Sequence, residues 1–453
     1  MRILVDNSGY ELLNLGDVAM LQVAISRFRA LWPDARITVM TVAPELLAKF
    51  CPGAIPLTPD GRDQWLRKCD LFGSLHRVAP GASHQLYALE ARFRRRFPSF
   101  MRILADERLR TRGCDTAPMT AFLDTVFSAD LVVGTGGGYL TDSFAEHAMD
   151  ILETLHLAQS LGIPTALLSQ GLGPVSQPRV WNPMRRVVSR VDLLALREGI
   201  AGRDLAERLG VPPQRILITG DDAVALACDR AIGPGASTGN LGINLRTAWY
   251  AAVPEQAIGA LHRAVEKLSQ THAAPVIALP VSSNNEGEDD RAIAQLTGSD
   301  AAARAARAAA PIDTPTQLID RIATCRLVIT GSYHAGVFAL AQGIPVIGLM
   351  GSRYYADKFA GLAHQFDNTG CIIMSLEQPD LETKLIAAAQ RLIREADHLR
   401  PILIQCARRQ VLASERAYQL LAQMLGERRL HNGRVHARHD DRVPAPVRAR
   451  SGL

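Results

Sequence analysis

The sequence predicts an α/β protein built from two doubly wound domains that face each other across a cleft. Three observations lead to this fold class. The chain has 453 residues, which exceeds the usual size of a single hydrophobic core. Short apolar runs alternate with helical patterns along the chain, as expected for parallel sheets with helical crossovers. A Gly- and Pro-rich segment without periodicity, residues 232–239, separates the two halves and predicts an interdomain linker.

Residues 1–232 form the predicted N-terminal domain. Apolar runs at 3–6 and 37–41 predict strands, and an amphipathic pattern at 17–31 predicts the helix between them. The other elements predicted in this half are strands at 130–133, 165–169, 193–196 and 216–219 and a helix at 144–161. Residues 55–125 are less regular, and we expect an insertion or a lid there.

Residues 240–426 form the predicted C-terminal domain. Its elements are predicted as strands at 241–245, 276–279, 327–329 and 346–350 and helices at 255–271, 316–325, 335–342 and 380–425, the last broken near Pro401. Residues 427–453 hold seven Arg against three acidic residues and have no apolar periodicity. We therefore expect a disordered basic tail.

The most informative stretch is residues 327–350, one compact βαβ unit of a parallel sheet. Its only ionisable side chain with a pKa near neutrality, His334, falls where the first strand turns into the helix. Ligands of open α/β sheets bind at the carboxyl ends of strands, where helix N-termini offer unpaired N–H groups to anions. His334 is therefore a candidate for proton transfer, although a His that only caps the turn is the alternative.

Composition excludes several classes of function. The formal charge is +5, but the tail contributes +4, so the rest of the chain is near neutral and gives no reason to expect nucleic acid. The seven cysteines are scattered without a C-x-x-C pair, which suits reduced thiols in a cytoplasmic protein. No uncharged apolar run approaches the roughly 20 residues that a membrane helix needs. The sequence leaves the oligomeric state open.

A second basic run spans residues 92–112, with eight Arg interleaved with Phe93, Phe97 and Phe100. Such a run is most often a solvated helix face. The alternative is a surface that meets anionic lipid or a lipid-diphosphate substrate.

Five loops follow predicted strands and carry the polar residues of interest. The first holds Asn14, Gly16 and Asp17; Asp17 suits a helix N-cap, and Gly16 allows a ligand's phosphate or sugar to approach the backbone. The second, residues 134–138, holds the glycines Gly136, Gly137 and Gly138. This loop does not match the dinucleotide-binding register, so NAD is not expected.

The other three loops carry an amide, paired carboxylates and an arginine. Gln170 begins the third, and Asp221 and Asp222 lie in the fourth, where they suit either helix capping or contact with a metal or with sugar hydroxyls. Arg246 ends the first strand of the second domain and can fork onto a carboxylate or phosphate. No Walker A motif, G-x-S-x-G elbow or H-E-x-x-H motif occurs, so metal catalysis is not indicated.

Taken in order, these loops resemble the polysaccharide pyruvyl transferase family. The matching segments are N-x-G-D-x-A (Asn14, Gly16, Asp17, Ala19), G-T-G-G-G (Gly134–Gly138), Q-G-L-G-P (Gln170–Pro174), R-E (Arg197, Glu198), G-D-D-A (Gly220–Ala223) and S-Y-H…A-x-x-x-G-I-P-V-I-G-L (Ser332–Leu349). The resemblance runs from residue 1 to about residue 365. It implies two Rossmann-like domains in the glycosyltransferase B arrangement.

The resemblance also implies transfer of pyruvate from phosphoenolpyruvate to two hydroxyls of a sugar, which forms a cyclic ketal without a metal or a cofactor. The acceptor is then a sugar or a lipid-linked oligosaccharide, and the enzyme is cytoplasmic, with peripheral contact to the inner face of the membrane. In one departure, Ser332 occupies the place of the Arg in the family's R-x-H pattern. Arg353 and Lys358 are candidates to replace that cation.

These expectations divide the site between the domains. His334 is the expected catalytic residue, and the second domain is expected to bind the donor through Arg246, Ser332, Tyr333, Arg353 and Lys358. The first domain is expected to bind the acceptor through Asn14, Gly16, Asp17, Gly136, Gly137, Gly138 and Gln170.

Two other functions stay open at this point. One is a glycosyltransferase B-like enzyme that uses a nucleotide sugar, for which Asp357 is the nearby candidate for a ribose contact. The other is a non-catalytic glycan-binding protein that has kept the fold.

Overall fold

The computed structural model describes residues 1–68, 83–231, 239–282, 288–297 and 312–440. Two parallel sheets lie in separate halves of the chain, with helices packed against both. The predicted fold class, two Rossmann-like α/β domains facing a cleft, is confirmed. The described strands are β1 (Arg2–Asp6), β2 (Arg36–Met40), β3 (Ile55–Leu57), β4 (Leu131–Gly134), β5 (Gly137–Leu140), β6 (Thr165–Leu172), β7 (Leu193–Leu196), β8 (Ile216–Ile218), β9 (Asn240–Asn244), β10 (Val276–Ala278), β11 (Cys325–Thr330), β12 (Val346–Met350) and β13 (Cys371–Ser375).

Helices connect the strands. The described α-helices are α1 (Leu15–Leu31), α2 (Pro44–Phe50), α3 (Asp60–Asp63), α4 (Ser83–Arg96), α5 (Pro98–Thr111), α6 (Ala117–Phe127), α7 (Ala145–Ser160), α8 (Pro178–Val188), α9 (Ala201–Arg208), α10 (Ala223–Cys228), α11 (Glu255–His272), α12 (Glu288–Thr297), α13 (Pro315–Ala323), α14 (Tyr333–Ala341), α15 (Arg353–Gln365) and α16 (Leu381–Asp440). None of these helices is both long enough and apolar enough to span a lipid bilayer.

In the described residues, the first sheet has the strand order β3-β2-β1-β4-β6-β7-β8, with β5 also paired to β6. Its strands are short runs of Leu, Val and Ile because both faces are covered by helices. One face packs on a core that includes Leu4, Val132 and Leu167, and the other on a core that includes Val5 and Val133.

The second sheet has the order β10-β9-β11-β12-β13. Its central strands are buried along nearly their whole length. Thr330 lies in register with Asn244 on one side and with Gly348 on the other. β9 and β11 therefore end at one level, and the loops that follow them lie side by side.

The carboxyl edges of the two sheets face each other. The backbone N–H of Leu15, at the start of α1, donates to the carbonyl of Val281 in the second domain at 2.9 Å. Asn14 also forms an isolated bridge with Ser282. The loop after β1 is therefore held by both domains, and this contact fixes one wall of the cleft.

The last helix, α16, belongs to both domains. Its first half, including Leu385 and Leu403, packs in the core of the second domain. Its later part, including Tyr418 and Leu421, packs in the core beneath the first sheet. The helix continues through Pro401 rather than breaking there, and its end closes the first domain.

Several expectations are corrected by these elements. The segment expected to be an irregular insertion at 55–125 is largely helical where it is described, and Met101 and Leu109 are buried in the first domain's core. Residues 427–440, expected in a disordered tail, continue α16, and residues 441–453 lie outside the described residues. The linker expected at 232–239 also lies outside them, except for Gly239.

Candidate active site

A cavity of about 270 Å³ lies between the carboxyl edges of the two sheets. Both domains contribute to its wall. The lining residues are Ser8, Gly9, Tyr10, Glu11, Leu12, Leu13, Asn14, Asp17, Gly138, Tyr139, Phe144, His147, Arg197, Arg246, Tyr250, Ser332, Tyr333, His334, Tyr354, Tyr355 and Lys358. The wall is polar and aromatic, and it brings together cationic groups from three separate chain segments.

His334 reaches across the cleft to the first domain. It is the second residue of α14, which begins directly after β11. Its ring packs so closely on Gly16, in the first turn of α1, that a Cβ atom at Gly16 would overlap it. The glycine predicted to let a ligand approach therefore admits the His334 ring instead.

The surroundings of His334 keep its imidazole neutral. Burial lowers the pKa of His334 well below its ordinary value, and the positive charges of Arg197, Lys358 and Arg246 lower it further. A neutral imidazole can accept a proton at neutral pH. An anion that entered the cavity would offset those charges and raise the pKa again.

Asp221 lies beside His334, in the loop after β8. The His334 Nε2 atom is 3.7 Å from Asp221 Oδ2, while Asp221 Oδ1 accepts a hydrogen bond from the N–H of Ala223 at 2.9 Å. Asp221 is only 3% exposed, and burial raises its pKa from 3.8 to about 7. A carboxyl with a raised pKa beside an imidazole with a lowered pKa is the pattern of an acid–base pair.

Three buried polar atoms meet at this point without hydrogen-bond partners among the described residues. They are Asp221 Oδ2, His334 Nε2 and Arg197 Nη1. Arg197 Nη1 lies 3.8 Å from the same Oδ2 atom. Buried polar atoms without partners are uncommon and costly, so their concentration here favours a functional explanation.

Arg197 and Lys358 are the two cations that contribute most to lowering the pKa of His334. Arg197 follows β7, and its guanidinium carbon lies 4.3 Å from the centroid of the Tyr333 ring. Lys358, on α15, lies with its Nζ atom 4.0 Å from the centroid of Tyr354. Burial lowers the pKa of Lys358 well below its ordinary value, and Arg197 adds to this effect. A bound anion would stabilise the charged forms of both residues.

Arg246 is largely occupied within the protein. Its Nε and Nη2 atoms each donate to a carboxylate oxygen of Asp289 at 3.0 Å, and Nη1 donates to the Tyr250 hydroxyl at 3.2 Å. The Arg246 guanidinium, which we expected to bind a donor, is therefore paired with Asp289. Arg246 still lines the cavity and contributes positive potential.

On the first-domain side, Asn14 caps α1. Its side-chain oxygen accepts from the N–H groups of Gly16 and Asp17, at 3.0 and 3.3 Å. Asp17, which we expected to be the cap, instead faces the cavity. Burial raises the pKa of Asp17, and the charge of Lys358 opposes that rise.

A family model for polysaccharide pyruvyl transferase matches residues 14–353, which spans every loop described above. The chain belongs to the polysaccharide pyruvyl transferase family. It is therefore a transferase of polysaccharide biosynthesis, as the order of its motifs indicated.

Solved structures with a similar fold differ strongly in sequence from this pyruvyl transferase. A UDP-N-acetylglucosamine 2-epimerase from Listeria monocytogenes, described as putative in its name, matches with a TM-score of 0.55 at 13% identity, covering 94% of this chain and 97% of that one. The UDP-GlcNAc 2-epimerase of Methanocaldococcus jannaschii matches with a TM-score of 0.54 at 10% identity, over 93% and 100%. Arabidopsis thaliana UGT89C1 complexed with quercetin matches with a TM-score of 0.50 at 11% identity, over 94% and 99%. At these identities the likeness concerns the fold alone. No curated protein sequence matches the chain significantly.

The structure brings eight of the predicted site residues of the pyruvyl transferase to the cavity. These are Asn14, Asp17, Gly138, Arg246, Ser332, Tyr333, His334 and Lys358. Gly138 lies where a Cβ atom would be 2.7 Å from Lys358 Cε, and its carbonyl accepts a hydrogen bond from the Tyr354 hydroxyl at 3.0 Å. This glycine thus brings a first-domain strand against a second-domain helix.

Five other predicted residues do not line the cavity; one is Gly16, which packs against the His334 ring. Gln170 lies within β6 and donates to the carbonyls of Gly137 and Gly171, at 3.0 and 3.2 Å. Gly136 packs on Met20 and Ser169, and Gly137 begins the short strand β5 and packs on Ser8. Arg353 is also corrected: its side chain is 85% exposed and pairs with Asp357 at 3.8 Å, because it starts α15 on the solvent side.

Sequence reasoning missed two residues at the centre of the site. Arg197 was recognised only as part of a family motif, and Asp221 only as a cap or as a metal or sugar ligand. Arg197 directly follows β7, and Asp221 lies in the turn after β8. Their positions at the ends of strands were the signal in the sequence that could have identified them. The neighbouring Asp222 is structural, since it accepts hydrogen bonds from Ser414 and from Tyr418, the latter at 2.8 Å, and so anchors α16.

Proposed function

We propose that the protein transfers the pyruvyl group of phosphoenolpyruvate to two hydroxyls of a sugar in a cell-surface polysaccharide or its precursor, which forms a cyclic ketal. The observation that carries this proposal is the convergence of Arg197, Lys358 and Arg246 on one small cavity beside a neutral His334. Phosphoenolpyruvate has both a carboxylate and a phosphate, and such a donor needs several cations at close range.

The size of the cavity supports a small donor. Its volume of about 270 Å³ is below the several hundred Å³ typical of sites for larger ligands. A donor as small as a three-carbon phosphate would leave room at the first-domain wall for the acceptor, whereas a nucleotide sugar would need more room. The proposed ribose contact for a nucleotide sugar, Asp357, pairs with Arg353 instead of lining the cavity.

Arg197 is proposed as the cation that replaces the family arginine missing at Ser332. Its guanidinium lies over the Tyr333 ring, directly beside Ser332 in the chain, and both residues line the cavity. Lys358, whose Nζ atom lies 5.6 Å from the centroid of the same Tyr333 ring, is proposed as its partner. Arg246, which already pairs with Asp289, is proposed to contribute its charge rather than a bidentate contact.

The reaction requires a balanced movement of protons. A proton adds to the methylene carbon of phosphoenolpyruvate while a sugar hydroxyl bonds to the neighbouring carbon and loses its own proton. The bond from that carbon to the phosphate oxygen then breaks, the second hydroxyl closes the ketal, and its proton leaves with phosphate. His334 is proposed to accept and deliver the first proton, and Asp221 to position His334 and exchange a proton with it.

The acceptor is proposed to bind on the first-domain wall, near Asn14, Asp17 and Gly138. It is a sugar or a lipid-linked oligosaccharide, and the enzyme is proposed to work in the cytoplasm, in peripheral contact with the membrane. Asp17 is suited to accept hydrogen bonds from sugar hydroxyls because it faces the cavity opposite the cations.

Donor identity can be tested without knowing the acceptor. Phosphoenolpyruvate should raise the melting temperature of the protein, and UDP-, GDP- and CDP-sugars should not. Arg197→Met should remove the shift, whereas the matched change Arg203→Met, on the exposed face of α9, should keep it. A shift with a nucleotide sugar and none with phosphoenolpyruvate would refute the proposed donor and favour a glycosyltransferase.

A further inference from the structure

The helices α4 and α5 expose a stripe of large apolar side chains. The exposed large hydrophobic residues in the described chain number ten, and six of them lie within residues 89–104. They are Leu89, Phe93, Phe97, Phe100, Ile103 and Leu104, between 39% and 67% exposed. Scattered apolar residues on a surface need no explanation, but a cluster of this kind marks an interaction surface.

The spacing of these residues makes the stripe continuous. Leu89, Phe93 and Phe97 recur every four residues, so they lie along one face, and the rings of Phe93 and Phe97 are 6.1 Å apart. Phe100, Ile103 and Leu104 share one face of α5. We call these six residues the apolar stripe.

The other side of α5 is also apolar, because it packs into the first domain. Pro98, Met101, Ala105 and Leu109 are buried there. A helix that is apolar on both sides needs a cover for its second side, and none of the described residues supplies one for α5. The buried side holds the helix in place, so the exposure of the stripe is a stable property of the domain.

Positive charge lies beside the stripe. Arg92 and Arg96 are exposed, and the Arg96 guanidinium carbon lies 5.4 Å from the centroid of the Phe97 ring. Other arginines of the run pair with acids: Arg102 with Asp124 at 2.6 Å, and Arg110 with Asp106. Among the described residues, Arg92 and Arg96 form no ion pair and are available to an outside anion.

A large basic cavity adjoins the stripe. It has a volume of about 800 Å³, and its lining combines Leu89, Phe93 and Phe97 with five arginines and a single acid: Arg92, Arg95, Arg96, Arg190, Arg428 and Asp192. His156 lies in its wall, is 8% exposed, and its Nδ1 atom has no hydrogen-bond partner in the described chain. Burial, with the charges of Arg95 and other nearby arginines, lowers the pKa of His156 to about 4. The cavity therefore favours an anion next to an apolar surface.

We propose that the apolar stripe and its arginines dock this protein on an anionic phospholipid membrane, with lipid phosphates at the basic cavity. Aromatic and aliphatic side chains then enter the headgroup boundary, and Arg92 and Arg96 meet the negative lipid surface. This inference rests on the membrane contact in the proposed function and names its surface. It does not depend on the identity of the donor.

The test uses the full chain and flotation with vesicles. The protein should float with phosphatidylcholine–phosphatidylglycerol vesicles, much less with pure phosphatidylcholine vesicles, and less as salt rises. Phe100→Ser with Ile103→Ser should lower the partition coefficient by about tenfold or more, since two exposed apolar side chains leave the interface. The matched control Leu412→Ser changes a residue that is 54% exposed elsewhere on the surface and should bind as the wild type does.

Charge is tested separately. Arg92→Glu with Arg96→Glu should lower binding to the anionic vesicles by about tenfold or more, whereas Arg203→Glu with Arg391→Glu, an equal change on other exposed positions, should not. Phosphoenolpyruvate should still raise the melting temperature of all four variants in these two tests. This result would show that membrane binding and donor binding are independent. Failure of the wild type to float would overturn the inference. Equal binding of the wild type to both kinds of vesicle would also overturn it. A third contradicting result would be a Phe100 and Ile103 variant that loses self-association but still binds vesicles.

Discussion

Replacement of Asp221 by Asn should make the stability of the folded protein less sensitive to a rise in pH from acidic to neutral values. Burial raises the pKa of Asp221 from 3.8 to about 7. The folded state therefore holds this proton more tightly than the unfolded chain does. Folding takes up a proton between these two values, and the stability due to this group falls as the pH rises from about 4 to about 7.

The size of the effect follows from the two pKa values. A difference of about three between them corresponds to about 4 kcal/mol once the carboxyl is ionised in both states, at about 1.4 kcal/mol for each step. Between about pH 5 and about pH 8 the loss is about 3 kcal/mol, because part of it has occurred already at pH 5. Asn cannot ionise and can still accept the hydrogen bond from Ala223.

Urea unfolding at both pH values provides the measurement. The wild type should lose about 3 kcal/mol more than Asp221→Asn over this range. The attraction between Arg197 and the ionised carboxylate needs no separate correction, because it already contributes to the pKa of Asp221. Asp204→Asn, whose side chain is 70% exposed, serves as the control and should follow the wild type.

The same change should also lower turnover. Asp221→Asn should lower the rate because His334 loses the group that exchanges a proton with it. A variant whose stability depends less on pH but whose turnover is lower fits a carboxyl kept buried for function. Identical pH dependence of unfolding in wild type and variant would refute the reasoning, since the proton of Asp221 would then be held no more tightly in the folded state.

The other predictions are these. His334→Asn should lower turnover by roughly 100-fold in a phosphate-release assay while melting at nearly the wild-type temperature; near-normal turnover would remove His334 from the reaction. Donor binding should take up a proton at alkaline pH because an anion restores the lowered pKa of Lys358; calorimetry in buffers of different ionisation enthalpy should detect this uptake in the wild type and not in Lys358→Met. Gly16→Ala should lower turnover by about tenfold or more, because the new methyl displaces the His334 ring, and an unchanged rate would show that the ring has room. A chain ending at Gly426 should melt close to the wild type because Leu425 is the last described residue of α16 in the core, whereas a large drop would mean that later residues stabilise the fold.

The sequence predicted the fold well because parallel strands buried on both faces are continuous apolar runs. The strand at 193–196 was placed to the residue, and that at 346–350 likewise. The loops were predicted less well. Residues 137–140 and 170–172 form strands, because hydrogen bonds between neighbouring strands depend on partners distant in the chain.

The site was predicted in part for a related reason. His334 and Lys358 were found from their places after strands of the second sheet. The role of Gly16 was not, because its neighbour is the His334 ring from the other domain, and no local pattern shows such a contact. Arg246 was expected to be free for a ligand, but its partner Asp289 lies 43 residues away in the chain.

The position of α16 has a consequence for the order in which this chain acquires its structure during synthesis. Ala417, Tyr418, Leu421 and Leu425 complete a core whose other members come from the first 200 residues. A ribosome that has finished the first sheet has therefore not yet made the side chains that cover one of its faces. The N-terminal domain must wait with that apolar face open until the last part of the chain emerges, and this interval is when the nascent protein most needs protection from aggregation.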